Sequence, residues 1–275
     1  EYVWTGFDYL GEPTPFNSDN TNLLNFRTDP SKRAELEKQL AELARTQPPS
    51  RSSYFGIVDL AGFPKDRYYL YQSHWRPDFP MAHILPHWNW AGREGQIIPV
   101  HVYTSGTEAE LFVNGKSYGR KTKEEGKDFR LVWDSVVYQP GSVKVIAYKD
   151  GKEWAKDEIQ TTGEAQKIQL SVDHASIIGS EDELAFVTAT IVDASERKVP
   201  TACLPLKVEV TGCGELVATD NGDPTSFTPF QSAERESFNG LALAIVRGKK
   251  GTTGKMQVKV SGAGLESASI EIEVK

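Results

Sequence analysis

Two dipeptides set the frame for most of this chain. Asn114-Gly115 lies inside "AELFVNGKSYG" and Asp150-Gly151 inside "SVKVIAYKDGKEWAKDEIQT", and each is flanked by residues that alternate between apolar and polar. Such dipeptides fit type I′ turns, which need positive φ at both central positions, so both stretches read as antiparallel hairpins. "IIPVHVYTS" adds a strand of period two just upstream. Short alternating strands at this spacing predict a small antiparallel sandwich over residues 81–163, with Thr162-Gly163-Glu164 at its boundary.

Residues 165–275 follow the same plan without repeating the sequence. "KIQLSVD", "ELAFVTATIVDA", "LKVEV", "LALAIVRG", "KMQVKVSG" and "SASIEIEVK" predict six or seven strands and a second sandwich. Residues 1–80 read differently. Asp29 is a plausible N-cap with Pro30 at the first helical position, Leu36, Leu40 and Leu43 follow at helical spacing, and Pro48-Pro49 stop the helix. "FPKDRYYLYQSHW" predicts another helix, from near Pro64 to before Pro77, and "YFGIVDLAG" a short buried stretch and a turn. The expected fold class is mainly β: two immunoglobulin-like antiparallel sandwiches behind a helical N-terminal region.

A length of 275 residues leaves room for two or three domains of about 100–150 residues each. The net charge of −7 argues against a nucleic-acid partner, which wants a basic face. No apolar run approaches the roughly 20 residues of a membrane span, so no membrane partner is expected. The two cysteines, Cys203 and Cys213, flank a strand-like segment. An extended segment of that length spans roughly 30 Å at ~3.3 Å per residue, whereas a disulfide needs Cα atoms about 4.4–6.8 Å apart. Two free thiols are expected.

Several motifs carry less chemistry than they suggest. Gly115 to Gly119 matches G-x-S-x-G, but a nucleophile elbow needs a strand-to-helix turn and this match lies in a hairpin. His83 and His87 have a metal-like spacing, but Pro86 opposes the helix that spacing requires, and a linker presenting Trp88 and Trp90 on one face is the plainer reading. "RGKKGTTGK" fails the P-loop spacing and reads as a turn between strands. "DNGDPTS", Asp220 to Ser226, is a dense turn that could contact calcium or sugar, or simply join strands. No metal and no cofactor is expected.

The aromatic residues are concentrated early: residues 1–90 hold 16 of the 28 Phe, Trp and Tyr. Such surfaces suit ligands with an apolar face and polar edges, sugars included. "WTGFDYLGEP", Trp4 to Pro13, gathers aromatics and carboxylates just after a strand-like Tyr2-Val3-Trp4. In a (β/α)8 barrel such a position, past the C-terminal end of a strand, carries substrate-binding residues. The plainer alternative is that Trp4 packs and that Asp8 and Glu12 cap or solvate a loop.

"EYVWTGFDYLGEPTPF", "SRSSYFGIVDLAGFPKDRYYLYQSHW", "AHILPHWNWAGREGQIIPVHVYTSGTEAELFVNGKSYGRK", "ATDNGDPTSFTPF" and "FNGLALAIVR" closely resemble bacterial β-galactosidases of glycoside hydrolase family 2. The similarity covers nearly the whole chain, with the Lys32–Gln47 helix as an apparent insertion. The resemblance implies that residues 1–80 are the last strand and helix of the catalytic barrel, followed by accessory sandwiches at 81–163 and 165–275. It implies hydrolysis of terminal β-galactosides by two glutamates, in a retaining reaction that sets the carboxyls about 5–5.5 Å apart. The family's acid/base glutamate follows an Asn, and no Asn-Glu dipeptide occurs here. The similarity also begins after the strand that carries the nucleophile. Thus no catalytic residue is expected in this stretch, which reads as the C-terminal portion of a larger, periplasmic or secreted bacterial enzyme whose upstream catalytic domains are its partners. Trp4 would line the sugar subsite, with Asp8 and Glu12 as weaker substrate-binding candidates. The alternative is a non-catalytic carbohydrate-binding or spacer module.

Overall fold

The computed structural model describes residues 3–12, 50–124, 126–180 and 182–275. The helix expected over 30–47 lies outside the described residues.

The first sandwich is built as the turn chemistry predicts. β1 (Ala82–Leu85), β2 (Val100–Thr104) and β5 (Leu131–Trp133) make one sheet in the order β1-β2-β5. β3 (Glu108–Val113), β4 (Lys116–Thr122), β6 (Ser142–Lys149) and β7 (Lys152–Gln160) make the other, in the order β4-β3-β6-β7. Asn114 and Gly115 sit at φ 49° and 79°, and Asp150 and Gly151 at 51° and 72°, so both predicted turns close their hairpins with the positive φ they require. Alternation then selects the core: Ala109, Leu111 and Val113 of β3 and Val143, Val145 and Ala147 of β6 face Val100, Val102, Leu131 and Trp133 of the opposite sheet.

Trp88 belongs to this core. It is 1% exposed, meets Tyr138 edge-on at 5.1 Å and donates its indole N–H to the Gln139 carbonyl at 3.0 Å. The linker reading for His83–Trp90 is corrected accordingly: Trp88 plugs the sandwich, while Trp90 stacks on His87 at 4.7 Å. An indole is best buried where its N–H finds an acceptor.

The second sandwich pairs β8 (Lys167–Val172), β10 (Leu184–Val192), β12 (Gly214–Asp220) and β14 (Leu241–Gly248) in the order β12-β14-β10-β8. Facing it are β9 (Ser176–Ile177), β11 (Pro205–Gly212), β13 (Glu234–Glu236), β15 (Gly254–Gly262) and β16 (Ala268–Val274), in the order β13-β11-β15-β16-β9. Three of these strands escape a sequence reading. β9 and β13 are too short to show a period, and β12 carries a bulge between Leu216 and Ala218 that breaks its alternation. All pairings are antiparallel except β9 with β16. Cys203 and Cys213 are free thiols.

Helix α1 (Asp66–Trp75) occupies the predicted place, with an acid in its first turn and a histidine in its last. It packs on β1 and β2: the Tyr69 ring stacks on His83 at 3.9 Å, and His83 Nε2 lies 2.8 Å from an Asp66 oxygen. The chain after α1 is pinned to the sandwich, where Thr104 and Ser105 hydroxyls donate to the Met81 and Phe79 carbonyls at 2.7 and 2.6 Å. The two sandwiches meet where Gly163 N–H donates to buried Asp193 at 2.8 Å and Arg197 reaches Gln160 at 3.1 Å. Among the described residues no helix is long and apolar enough to cross a membrane.

Candidate functional site at the N-terminal loop

Residues 3–12 form no regular element of their own; residues 51–58 hold them in place. Phe7 bridges Val58 and Leu10 bridges Ser52. Tyr9 carbonyl accepts from Ser53 N–H at 2.9 Å, and Gly6 carbonyl from the N–H groups of Ile57 and Val58 at 2.9 Å. The approach is close enough to demand glycine at 56, where a Cβ would lie 2.4 Å from the Asp8 nitrogen and 2.5 Å from the Phe7 carbonyl carbon.

Each predicted site residue takes a different position. Trp4 is 80% exposed, and its indole N–H donates to the Tyr9 hydroxyl at 2.9 Å. That hydroxyl in turn donates to Glu12, which is exposed. The bond to the Glu12 carboxylate holds the Tyr9 phenol above its ordinary pKa, against the opposing pull of the Trp4 indole. Trp4 and Glu12 thus share one polar link on the solvent side. Asp8 points the other way. It is 3% exposed, accepts from Gly56 N–H at 2.7 Å and from the Ser53 hydroxyl at 3.2 Å, and pairs with Lys65 at 2.6 Å. Its oxygens are engaged with the protein's own donors, so its contribution here is to anchor the loop.

Beneath Asp8 lies a second buried carboxylate. Asp59 is 6% exposed and accepts from Phe63 N–H at 2.8 Å. Burial, with the nearby Asp220 charge, pushes its pKa up to about 7 against the pull of the Phe63 and Ala61 N–H groups and Lys65. Burial also lowers the Lys65 ammonium, opposed by its bond to Asp8, and the ammonium sits 4.3 Å over the Tyr54 ring. Sequence reading passed over Ser53, Gly56, Asp59 and Lys65. The close glycine and the polar "SRSS" run were visible, but nothing local tied them to Asp8.

Asp220 comes from the "DNGDPTS" loop at the end of β12, so the second sandwich reaches this site. Gly222 packs on the Asp59 carboxylate so closely that a Cβ there would lie 2.0 Å from Oδ2. The loop's own acceptors are largely spent within it: Asp220 on Asn221 N–H at 2.8 Å, Asn221 on Asp223 N–H at 3.0 Å and Asp223 on Thr225 N–H at 2.8 Å. Among the described residues no His, Cys, Asp and Glu side chains gather as a metal site. Ser117 of the G-x-S-x-G match sits in β4 and donates to Glu110 at 2.6 Å, without a helix behind it.

Residues 168–271 match the model of glycoside hydrolase family 2 C-terminal domain 5, and residues 95–155 match a domain of unknown function. The β-galactosidase BoGH2A of Bacteroides ovatus is 38% identical across 100% of this chain and 28% of its own length. The chain belongs to glycoside hydrolase family 2. A β-glucuronidase of Formosa agariphila is 30% identical over 70% of the chain and 18% of its own length. The crystal structure of a family 2 member from Bacteroides cellulosilyticus superposes with a TM-score of 0.83 at 26% identity, covering 100% of this chain and 36% of that one. The chain therefore spans less than two-fifths of the family 2 relatives it matches.

Proposed function

We propose that this chain is the C-terminal part of a retaining β-galactosidase that hydrolyses terminal β-galactosides, and that Trp4 forms one wall of its sugar subsite. The observation that carries the reading is the similarity of the whole of this chain to 28% of a β-galactosidase, which runs through the loop that presents an indole 80% exposed beside Glu12. A sugar offers an aromatic ring its apolar C–H face, while a carboxylate at the rim takes its hydroxyls. In this reading residues 1–80 close a barrel whose other strands carry the two glutamates, and 81–163 and 165–275 are immunoglobulin-like accessory domains. The catalytic pair is supplied upstream, so the 275 residues alone have no turnover of their own. We also propose a periplasmic or secreted setting, where glycans from outside the cell are met.

The β-glucuronidase relative favours a second substrate, a β-glucuronide. Residues that would discriminate a galactose C6 hydroxyl from a uronate carboxylate fall outside the matched loop in this reading. A carbohydrate-binding role for the sandwiches has less behind it. Trp88, Trp133 and Tyr138 are buried, Trp90 and Trp154 are half-buried, and exposed Phe129, Phe186 and Phe227 are spread over three separate stretches.

The test compares the 275-residue chain with a longer polypeptide extended upstream, on chromogenic β-galactoside and β-glucuronide. The short chain should be inactive and the long one active on the galactoside. Trp4→Ala in the long form should raise KM at least tenfold, the scale of about 1.4 kcal/mol of lost sugar contact. Turnover by the short chain, or an unchanged KM in the long variant, would refute the assignment.

A further inference from the structure

We propose that the second sandwich is a positioning module for the Trp4–Glu12 loop, with Arg51 as the positioning residue at the joint. The inference rests on the reading of that loop as the wall of a sugar site.

The joint is made of short backbone segments. Arg51 N–H donates to the Pro224 carbonyl at 2.9 Å, and the Ser50 hydroxyl to the same carbonyl at 3.0 Å. The Arg51 guanidinium lies 4.4 Å over the Phe230 ring and reaches the Thr228 carbonyl at 3.4 Å. From Arg51 the connection continues without a gap. Its carbonyl accepts from Gly11 N–H at 3.1 Å; two residues on, Ser53 binds both the nitrogen and the carbonyl of Tyr9, at 3.1 and 2.9 Å. The Tyr9 hydroxyl then holds Trp4 and Glu12 together. One hydrogen-bonded path therefore runs from the edge of the second sandwich to the exposed indole.

The sandwich end of the path is stiff. Arg235, 2% exposed, donates to the Thr219, Thr228 and Pro229 carbonyls and to the hydroxyls of Thr219 and Ser226, which fixes residues 219–229 as a block. A planar guanidinium with all its donors engaged is a rigid clamp. Arg51, by contrast, keeps Nε and Nη2 shut off from water without a hydrogen-bond partner. Leaving those donors unmatched costs stability, so Arg51 is poorly chosen as filler and well placed as a joint, where its ring stack fixes an angle. Loops that carry binding residues are otherwise the least stable parts of a fold. A rigid neighbour is one way to hold such a loop in register.

The test uses the chain as it stands, labelled with 15N. The Trp4 indole signal is identified by its absence from Trp4→Phe. Arg51→Met keeps the aliphatic stem and removes the cation over Phe230, and Phe230→Leu removes the ring. Each variant should move the Trp4 indole and the Tyr9 and Gly11 amide signals and speed exchange of those two amides by roughly tenfold. The amides of Val102 and Val145 in the first sandwich and Val258 in the second should stay unchanged. The double variant should add little to either single change. Loop signals that stay put while only residues 224–230 respond would overturn the proposal. If Arg51→Met loses its dispersed spectrum, Phe230→Leu decides on the same signals. A moved Trp4 signal alongside an unchanged KM for Trp4→Ala in the longer enzyme would defeat the sugar-site reading and leave the joint intact.

Discussion

Replacing Asp59 by Asn should stabilise the joint between the N-terminal loop and the second sandwich, and only above a defined pH. Asp59 is 6% exposed, faces Asp220 and Lys65, and titrates at about 7 instead of the ordinary 3.8. The sign follows from proton linkage. Below pH 3.8 the carboxyl is protonated whether the joint is closed or open. Between 3.8 and about 7 the closed form keeps the proton while the open form has lost it, so stability falls as pH rises. Above 7 both forms are ionised and the full cost of the buried charge is present. A shift of this size corresponds to about 4 kcal/mol at 1.36 kcal/mol per unit. Asparagine keeps an oxygen to accept from Phe63 N–H, which now donates to Oδ1 at 2.8 Å, and it carries no charge. The assay is native-state hydrogen exchange at the amides of Arg51, Ser53 and Asp59, which bond Pro224, Tyr9 and Phe63 carbonyls, corrected for intrinsic rates from pH 5 to 8. Wild-type protection should fall across that range and the variant's should not, with the gap largest at pH 8. Protection that is flat in the wild type, or that rises with pH, would show that Asp59 is ionised in the closed joint and would refute the argument.

Three further substitutions probe other parts of the frame. Lys65→Met strands the Asp8 carboxylate, 1% exposed at its side chain, and should cost about 3 kcal/mol, read as lost protection of the Gly56 amide; adding Asp8→Asn should recover part of it. Trp88→Ala empties the centre of the first sandwich and should cost about 3–5 kcal/mol in urea unfolding, while Val258 in the second sandwich keeps its exchange protection. Asp193→Ala removes the acceptor shared by the N–H groups of Gly163, Ser195 and Arg197, and should cost about 1–3 kcal/mol at the link between the sandwiches, read as faster proteolysis at Thr162–Glu164.

What the sequence made legible depended on how far each signal had to reach. The hairpins at Asn114-Gly115 and Asp150-Gly151 were readable because the turn and both strands lie within a few residues, and the turn chemistry admits few alternatives. Helix α1 was readable for the same reason, as Pro64 and Pro77 bracket it. β12 was not, because one bulge shifts its inward set and erases the period. Trp88 looked like a linker residue because its spacing with Trp90 is that of a strand face, yet the Tyr138 ring and Gln139 carbonyl that bury it come from about 50 residues downstream.

The N-terminal loop shows why a site of this kind resists local reading. Asp8 takes its donors from Ser53, Gly56 and Lys65, and none of these lies within its own segment. Ser50 and Arg51 take their acceptors from Pro224 and Thr228, more than 170 residues away. The resemblance ranked Trp4 first and left Asp8 and Glu12 as weaker candidates, with nothing local to tell the two carboxylates apart. The fold separates them by direction: Trp4 and Glu12 turn outward around the Tyr9 hydroxyl, and Asp8 turns inward to a lysine. A carboxylate's identity fixes what it can bind, while the donors around it determine whether it remains available to a ligand. Those donors come from residues 53–65, some 45 to 57 positions along the chain, so the distinction between an anchoring and a binding carboxylate appears only once that stretch is folded against the loop.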